Sequence, residues 1–288
     1  MIQHNIGKLM TAIVIWRNEE DIYNPTLWVV SDSLVSNNNS ALIEDASKVF
    51  TLPIKLTIPD ERGYLNKVYY QHSLGFCFAG STLMGQNSYI SILPLLSNLI
   101  CHKKYIPSFI EIATYILNYF RGTFLSYLTR HNNKAFFEAS IFGYCHIENK
   151  LQIAHYFVEN TDADGYNVKL IIKENKSTSD FLYLGDKPQL MREKIESALN
   201  GEGKPGRSKS RAPRYVIEDA INNKSPEYSS IGGDIQLGIA NFSGFKPYTI
   251  QKPYEIGKPA SYISYLGREL TPELSSVGIA RVGGDAMS

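Results

Sequence analysis

Cysteine is scarce. Three residues (Cys77, Cys101 and Cys145) among 288 are odd in number and too few for a disulfide framework, so they read as buried thiols of a reducing compartment. Excess charge is missing as well: 29 basic side chains face 28 acidic ones, and a net charge of +1 gives no global attraction to nucleic acid. Long apolar runs are absent. The stretch MIQHNIGKLM has no apolar signal-peptide core, Tyr89–Ile100 is short and holds Pro94, and Phe109–Leu128 is interrupted by Glu111 and Arg121. These absences lead to the expectation of a cytoplasmic protein with neither a membrane nor a nucleic-acid partner.

Several chemistries also lack their signatures. His4, His72, His102, His131, His146 and His155 show no zinc-ligand spacing and no Cys-x-x-Cys occurs, so no metal is expected. There is no Gly-x-Ser-x-Gly nucleophile elbow. The run Gly201-Glu-Gly203-Lys-Pro-Gly206 has the letters of a dinucleotide fingerprint but follows a helical segment instead of a strand and contains proline. No cofactor is expected. The basic tract Arg207–Arg214 beside it reads as a solvated loop.

What the sequence does contain is enough apolar material for a core. Hydrophobic residues make up 43% and aromatics 12%, which excludes wholesale disorder and leaves one large domain or two small ones. Short β-branched or aromatic runs at Thr11–Trp16, Leu27–Ser31, Lys48–Leu52 and Gly75–Ala79 predict strands. The charged stretch RNEEDIYNP joins the first two, and polar Pro53–Ser73 reads as an inserted excursion. A helix over Ser81–Ile100, kinked at Pro94, and a second opening after Pro107 follow. In the second, Phe109, Ile112, Ile116, Phe120, Phe124 and Leu128 recur every three or four residues as one apolar stripe. Four further strands lead to Asp186 and Gln189, which have the form of a capping box, then two short helices and a strand over Asp234–Ala240. Strand blocks segregated from helix blocks suggest packed layers.

Within this order, Thr11 opens the first strand, Asp32 ends the second, Lys48 begins the third 16 residues later, and Gly80 leads into the first long helix. Each alone has a plain structural explanation. Together with their surroundings (TAIVIW, LWVVSDS, DASKVFTL, GFCFAGSTLMG, FLYLGDK and SSIGGDIQL, between Thr11 and Ala240) they resemble the successive signatures of proteasome-type N-terminal nucleophile hydrolases. That family includes proteasome β subunits, the peptidase subunit of the bacterial HslUV protease, and shorter bacterial relatives.

The resemblance implies an α+β chain folded as a four-layer αββα sandwich, with residues 1–10 a leader or propeptide, 11–240 the hydrolase domain and 241–288 a C-terminal extension. It implies Thr11 as nucleophile with its own α-amine as base, Asp32 and Lys48 as a supporting ion pair, and the Gly80 N–H as oxyanion donor. Glu227 falls where the family carries Asp, Ser230 on its supporting serine, and Asp186 in a loop where serine is common. The function it implies is peptide-bond cleavage through an acyl-enzyme in a proteasome-like homo-oligomer, ringed or stacked, with room for an ATPase unfoldase partner. The alternatives are an inactive structural or regulatory subunit with a blocked N-terminus and, more weakly, an amidase of a small metabolite. Met10 stands where self-processing members have glycine.

Overall fold

A computed structural model describes residues 11–37, 40–131, 135–161, 165–174, 177, 179–203, 205–223, 225–254, 260–283 and 286–287. The reading of residues 1–10 as a leader falls outside them. Contacts divide the chain into two compact units: one formed by Thr51–Asn175 with Ala240–Phe245, the other by residues 11–50, Lys176–Ile239 and Lys246–Ser288.

The strands in chain order are β1 (Ala12–Asn18), β2 (Thr26–Ser31), β3 (Val35–Asn37), β4 (Ser40–Ile43), β5 (Val49–Ile58) and β6 (Lys67–Gly80). After them come β7 (Leu99–Ile100), β8 (Phe137–Cys145), β9 (Lys150–Thr161), β10 (Gly165–Lys173), β11 (Phe181–Gly185) and β12 (Gln236–Asn241). The last are β13 (Gly244–Pro253), β14 (Ser261–Tyr265), β15 (Arg268–Glu269), β16 (Ser276–Val277), β17 (Ala280–Arg281) and β18 (Ala286–Met287). The α-helices are α1 (Thr82–Leu96), α2 (Phe109–His131), α3 (Pro188–Ser197) and α4 (Ala212–Asn222).

The first unit carries a six-stranded sheet in the order β10-β9-β8-β6-β5-β7. Helix α2 starts at a true capping box: Ser108 N donates to Glu111 Oε2 at 2.8 Å, and Glu111 N donates back to Ser108 Oγ at 3.3 Å. Its apolar stripe then meets the sheet. Phe120 packs 5.0 Å from both Phe137 and Tyr156, and the Tyr156 hydroxyl donates to Ala113 O at 3.0 Å. Leu128, at the far end of the stripe, is only half-buried. Pro94 lies inside α1, which ends two residues later at Leu96.

The second unit carries a sheet in the order β11-β1-β2-β12-β13-β14-β15, with β18 on β13. Strand β1 lies between β11 and β2 and is almost wholly buried, which is why it reads as an unbroken apolar run. Ala12, Val14 and Trp16 face Met191 and Ile195 of α3 and Ile217 and Ile221 of α4 in one apolar cluster. The Trp16 indole N–H is satisfied by Ser210 O at 2.8 Å, so the largest side chain of the strand is buried without an orphaned donor.

This architecture corrects the four-layer αββα sandwich expected above. The described chain is dominated by strands, its sheets curl, and only four α-helices accompany them. Part of the reason is local. The stretch 53–73 is not an excursion: β5 runs on through Pro53 to Ile58, and β6 already begins at Lys67. Pro53 is tolerated there because β7 pairs with β5 only at Leu56 and Thr57, beyond the missing N–H. Polar and apolar residues alternate through this hairpin because one side of it is solvated, and that alternation resembles loop composition. From Gly244 onward the chain supplies β13, β14 and β15 to the sheet of the second unit.

Candidate active site

The end of β2 places Asp32 beside the start of β1. The fully buried Asp32 carboxylate accepts three hydrogen bonds: Oδ1 from Ala12 N at 3.0 Å and from Lys48 Nζ at 2.7 Å, and Oδ2 from Gly232 N at 3.2 Å. Lys48 Nζ also donates to Leu34 O at 2.6 Å. Its third N–H has no partner among the described residues. Removing the ammonium from water drives the Lys48 pKa below the ordinary lysine value, and the adjacent Asp32 charge opposes that shift. A buried ion pair of this kind needs further hydrogen bonds to offset its desolvation, and the site supplies them.

Much of that support comes from Gln236, at the head of β12. Its fully buried carboxamide accepts from Lys48 N at 3.0 Å and Val49 N at 3.3 Å, and donates to Ala46 O at 2.8 Å and Asp32 O at 3.3 Å. One side chain therefore ties the backbone of Asp32 to that of Lys48. Ser33 adds a second tie: Asp234 N donates to its Oγ at 2.7 Å, and that Oγ donates to Glu44 O at 2.5 Å.

Thr11 is 3% exposed and is held through its backbone. Its carbonyl accepts from Asp186 N at 2.8 Å, while the next N–H, that of Ala12, is the one bound to Asp32. The two ends of the Thr11–Ala12 peptide are thus pinned by two different carboxylate-bearing residues. The Thr11 hydroxyl has no hydrogen-bond partner among the described residues. Close approach of the Asp186 segment depends on Gly185, whose φ of +114° is costly for other residues and whose hypothetical Cβ would lie 2.0 Å from Thr11 O. Gly185→Ala is expected to destabilise the fold by about 2–4 kcal/mol, combining backbone strain with a clash against backbone. Urea denaturation checks this, and a midpoint within error of wild type would show that the turn relaxes.

Asp186 does not serve as the expected cap. The N-cap of α3 is Lys187, in the left-handed region at φ 49°, with no side-chain hydrogen bond to the helix, while Gln189 bonds Glu193 at 3.1 Å. Asp186 is buried instead, with Oδ2 accepting from the Ser230 hydroxyl and Oδ1 from Lys187 N at 3.0 Å. The Tyr183 hydroxyl donates to its carbonyl at 2.6 Å.

The structure thus brings Thr11, Asp32, Lys48 and Ser230 into one cluster and adds Asp186 to it. Glu227 lies exposed on a 3₁₀ turn over Pro226–Tyr228. Gly80 ends β6 in the first unit, opposite Phe137, with a φ of +92° that suits glycine at the turn into α1. Gln236, Ser33, Leu34, Gly185 and Gly232 went unassigned from sequence. The available signal for Gln236 was a polar residue opening an otherwise apolar strand.

Among the described residues, no group of three or more His, Cys, Asp or Glu is placed to hold a metal, and no helix is long and apolar enough to cross a membrane. No family model matches the chain, and no curated protein matches it. Solved structures do share its fold, two ancestral beta-subunits among them. One is Anbu from Yersinia bercovieri, at TM-score 0.51 and 13% identity, covering 82% of this chain and 87% of that one. Another is a Gly-1 mutant of Anbu from Hyphomicrobium sp. strain MC1, at TM-score 0.52 and 12% identity, covering 89% and 87%. At such identities the likeness is one of fold alone. It corrects the motif-based assignment to proteasome β and HslUV-type hydrolases, which no family model supports.

Proposed function

We propose that this chain is a threonine-type hydrolase of peptide or other amide bonds, working as one subunit of a homo-oligomer. The observation that supports it best is the buried Asp32–Lys48 pair fastened to the peptide N–H immediately after Thr11. A threonine hydroxyl attacks a carbonyl only if a base takes its proton. An α-amine on Thr11, with a reference pKa of about 7.7–8.0, is partly neutral at working pH and suits that task. The nearby Lys48 cation disfavours a second positive charge and lowers that amine's pKa further.

In the first step the Thr11 Oγ–C bond forms as its proton passes to the amine. The resulting ammonium then protonates the departing amine of the substrate as the amide C–N bond breaks, leaving an ester on Thr11. Water, deprotonated by the same amine, hydrolyses that ester and restores the hydroxyl. Asp32 keeps Lys48 oriented throughout. Asp186 and Ser230 hold the Thr11 carbonyl so that the hydroxyl keeps one direction.

The mechanism needs a free amine, so the Met10–Thr11 bond must be absent from active material, whether through self-cleavage or through removal of Met10 by an aminopeptidase. Intact mass and N-terminal sequencing of native protein test this together with a peptide electrophile that reacts only with a threonine carrying a free amine. A labelled chain beginning at Thr11 supports the hydrolase. Robust hydrolysis by a chain that keeps residues 1–10 would sink the mechanism. The second reading, an inactive structural subunit, draws on Met10 in place of glycine and expects an intact, unlabelled chain. The fold shared with ancestral beta-subunits supports subunit assembly under either reading.

A further inference from the structure

We propose that Gly267 and Arg268, in the hairpin that joins β14 to β15, are positioning residues for the Asp32–Lys48 pair, so that the C-terminal strands complete the candidate active site. Its effect on rate rests on the hydrolase reading above, and its effect on Lys48 rests on geometry within the second unit alone.

Tyr265 pairs with Arg268, so Leu266 and Gly267 alone form the turn. Both have positive φ, 52° and 83°, as a two-residue hairpin turn of this hand requires. Left-handed backbone is unfavourable for leucine, and such a conformation persists where its surroundings fix it. Here the surroundings are the support of the ion pair. A Cβ on Gly267 would lie 2.4 Å from Ser33 Cβ, 2.9 Å from Ser33 Oγ and 3.3 Å from Gln236 Nε2. Ser33 and Gln236 are the two side chains that tie the segment of Asp32 to that of Lys48. The turn rests against both ties at a distance that only glycine permits.

Further contacts from the same strands land on the same frame. Arg268 directs Nε and Nη2 at Asp45 Oδ2, at 2.7 and 2.6 Å, in the segment that leads into Lys48. Lys252 on β13 and Tyr262 on β14 donate to the Asp234 carboxylate, the tyrosine at 3.3 Å, and the Asp234 backbone N–H is the donor that holds Ser33 Oγ. Ser33, Asp45, Asp234 and Gln236 are thus each held from the C-terminal side. A hairpin that merely extended the sheet would pair through its backbone, whereas this one reaches each segment that carries the ion pair.

The test uses the full chain. Gly267→Ala places a Cβ about 1 Å inside ordinary contact distance of Ser33, and a misplacement of that size costs up to about 100-fold in rate, so kcat is expected to fall about 10–100-fold with KM within about 2-fold. Arg268→Met removes an exposed ion pair; it should melt within about 3 °C of wild type and lower kcat about 3–5-fold. Exchanging the two charges, Asp45→Arg with Arg268→Asp, should recover most of that loss, an outcome that a role in stability alone does not predict. Lys48 is 2% exposed, so sulfosuccinimidyl acetate should spare it in wild type while acetylating exposed lysines. Both single variants should label Lys48 at least about 5-fold faster, read by peptide mass spectrometry, because a loosened frame opens locally. If Gly267→Ala does not fold, Arg268→Met and the exchange decide alone. Lys48 labelling at the wild-type rate in every folded single variant, or an exchange that restores neither labelling nor rate, overturns the proposal. A wild-type chain that hydrolyses nothing removes the hydrolase reading, while Lys48 labelling still decides whether the hairpin holds the pair.

Discussion

Thr11→Ala is expected to lower the rate of amide hydrolysis by at least about 10⁴-fold, because a hydroxyl nucleophile has no substitute once it is removed. The fold should survive. The contacts that hold this residue are the Asp186 N–H on its carbonyl and the Asp32 carboxylate on the following N–H, and both belong to the backbone. Alanine keeps them and gives up one methyl and one hydroxyl, at a cost of about 1 kcal/mol or less. Thr11→Ser retains an Oγ and should retain measurable turnover. Steady-state hydrolysis, electrophile labelling and a thermal melt on the three proteins decide the matter. An alanine variant that is well folded and fully active would remove Thr11 from the chemistry.

The second large effect concerns Lys48. Lys48→Met should cut the rate at least about 100-fold, as loss of a proton-transfer or electrostatic group does. It should also destabilise the protein by about 3–5 kcal/mol, because it strands a buried carboxylate. Asp32→Asn is expected to be similarly severe in rate. Adding Asp32→Asn to Lys48→Met should restore part of the lost stability without worsening the rate, since the uncompensated charge disappears while the unit is already broken. Independent, multiplying losses in the double variant would refute a coupled pair.

A pH signature accompanies this prediction. Burial holds Lys48 below its ordinary pKa, so just under that ordinary value the unfolded chain binds more protons than the folded one. Its contribution to stability is therefore complete above the ordinary lysine value, is lost as pH falls through the lower folded pKa, and rises with pH between the two. Urea midpoints across the alkaline range should show that rise in wild type and lack it in Lys48→Met.

The elements most legible in the sequence were those with a strong local period. The stripe from Phe109 to Phe124 is the buried face of α2, and the apolar run after Thr11 is a strand sealed on both faces. Local patterns misled where two structures share the same letters. Asp186 and Gln189 spell a capping box, but Lys187 turns left-handed between them and sends the carboxylate to Ser230. The stretch 53–73 carries loop composition because a hairpin with one wet face alternates polar residues. The layering was illegible for another reason. Element order does not say which strands pair, and the choice of β12 as the neighbour of β2 is made by contacts far apart in sequence.

Those distant contacts also impose an order of events during synthesis. The carboxylate of Asp32 is completed by Gly232, 200 residues later, and the backbone of Lys48 by Gln236, 188 residues later. A chain emerging N-terminus first carries Thr11, Asp32 and Lys48 into solution long before either clamp exists. Until then Lys48 is hydrated with an ordinary amine, and nothing holds the start of β1 against the end of β2 on its far side. The cluster closes only once the chain has been made through Gln236. Nascent chains and fragments ending short of Gly232 therefore carry every residue of the ion pair but lack its geometry.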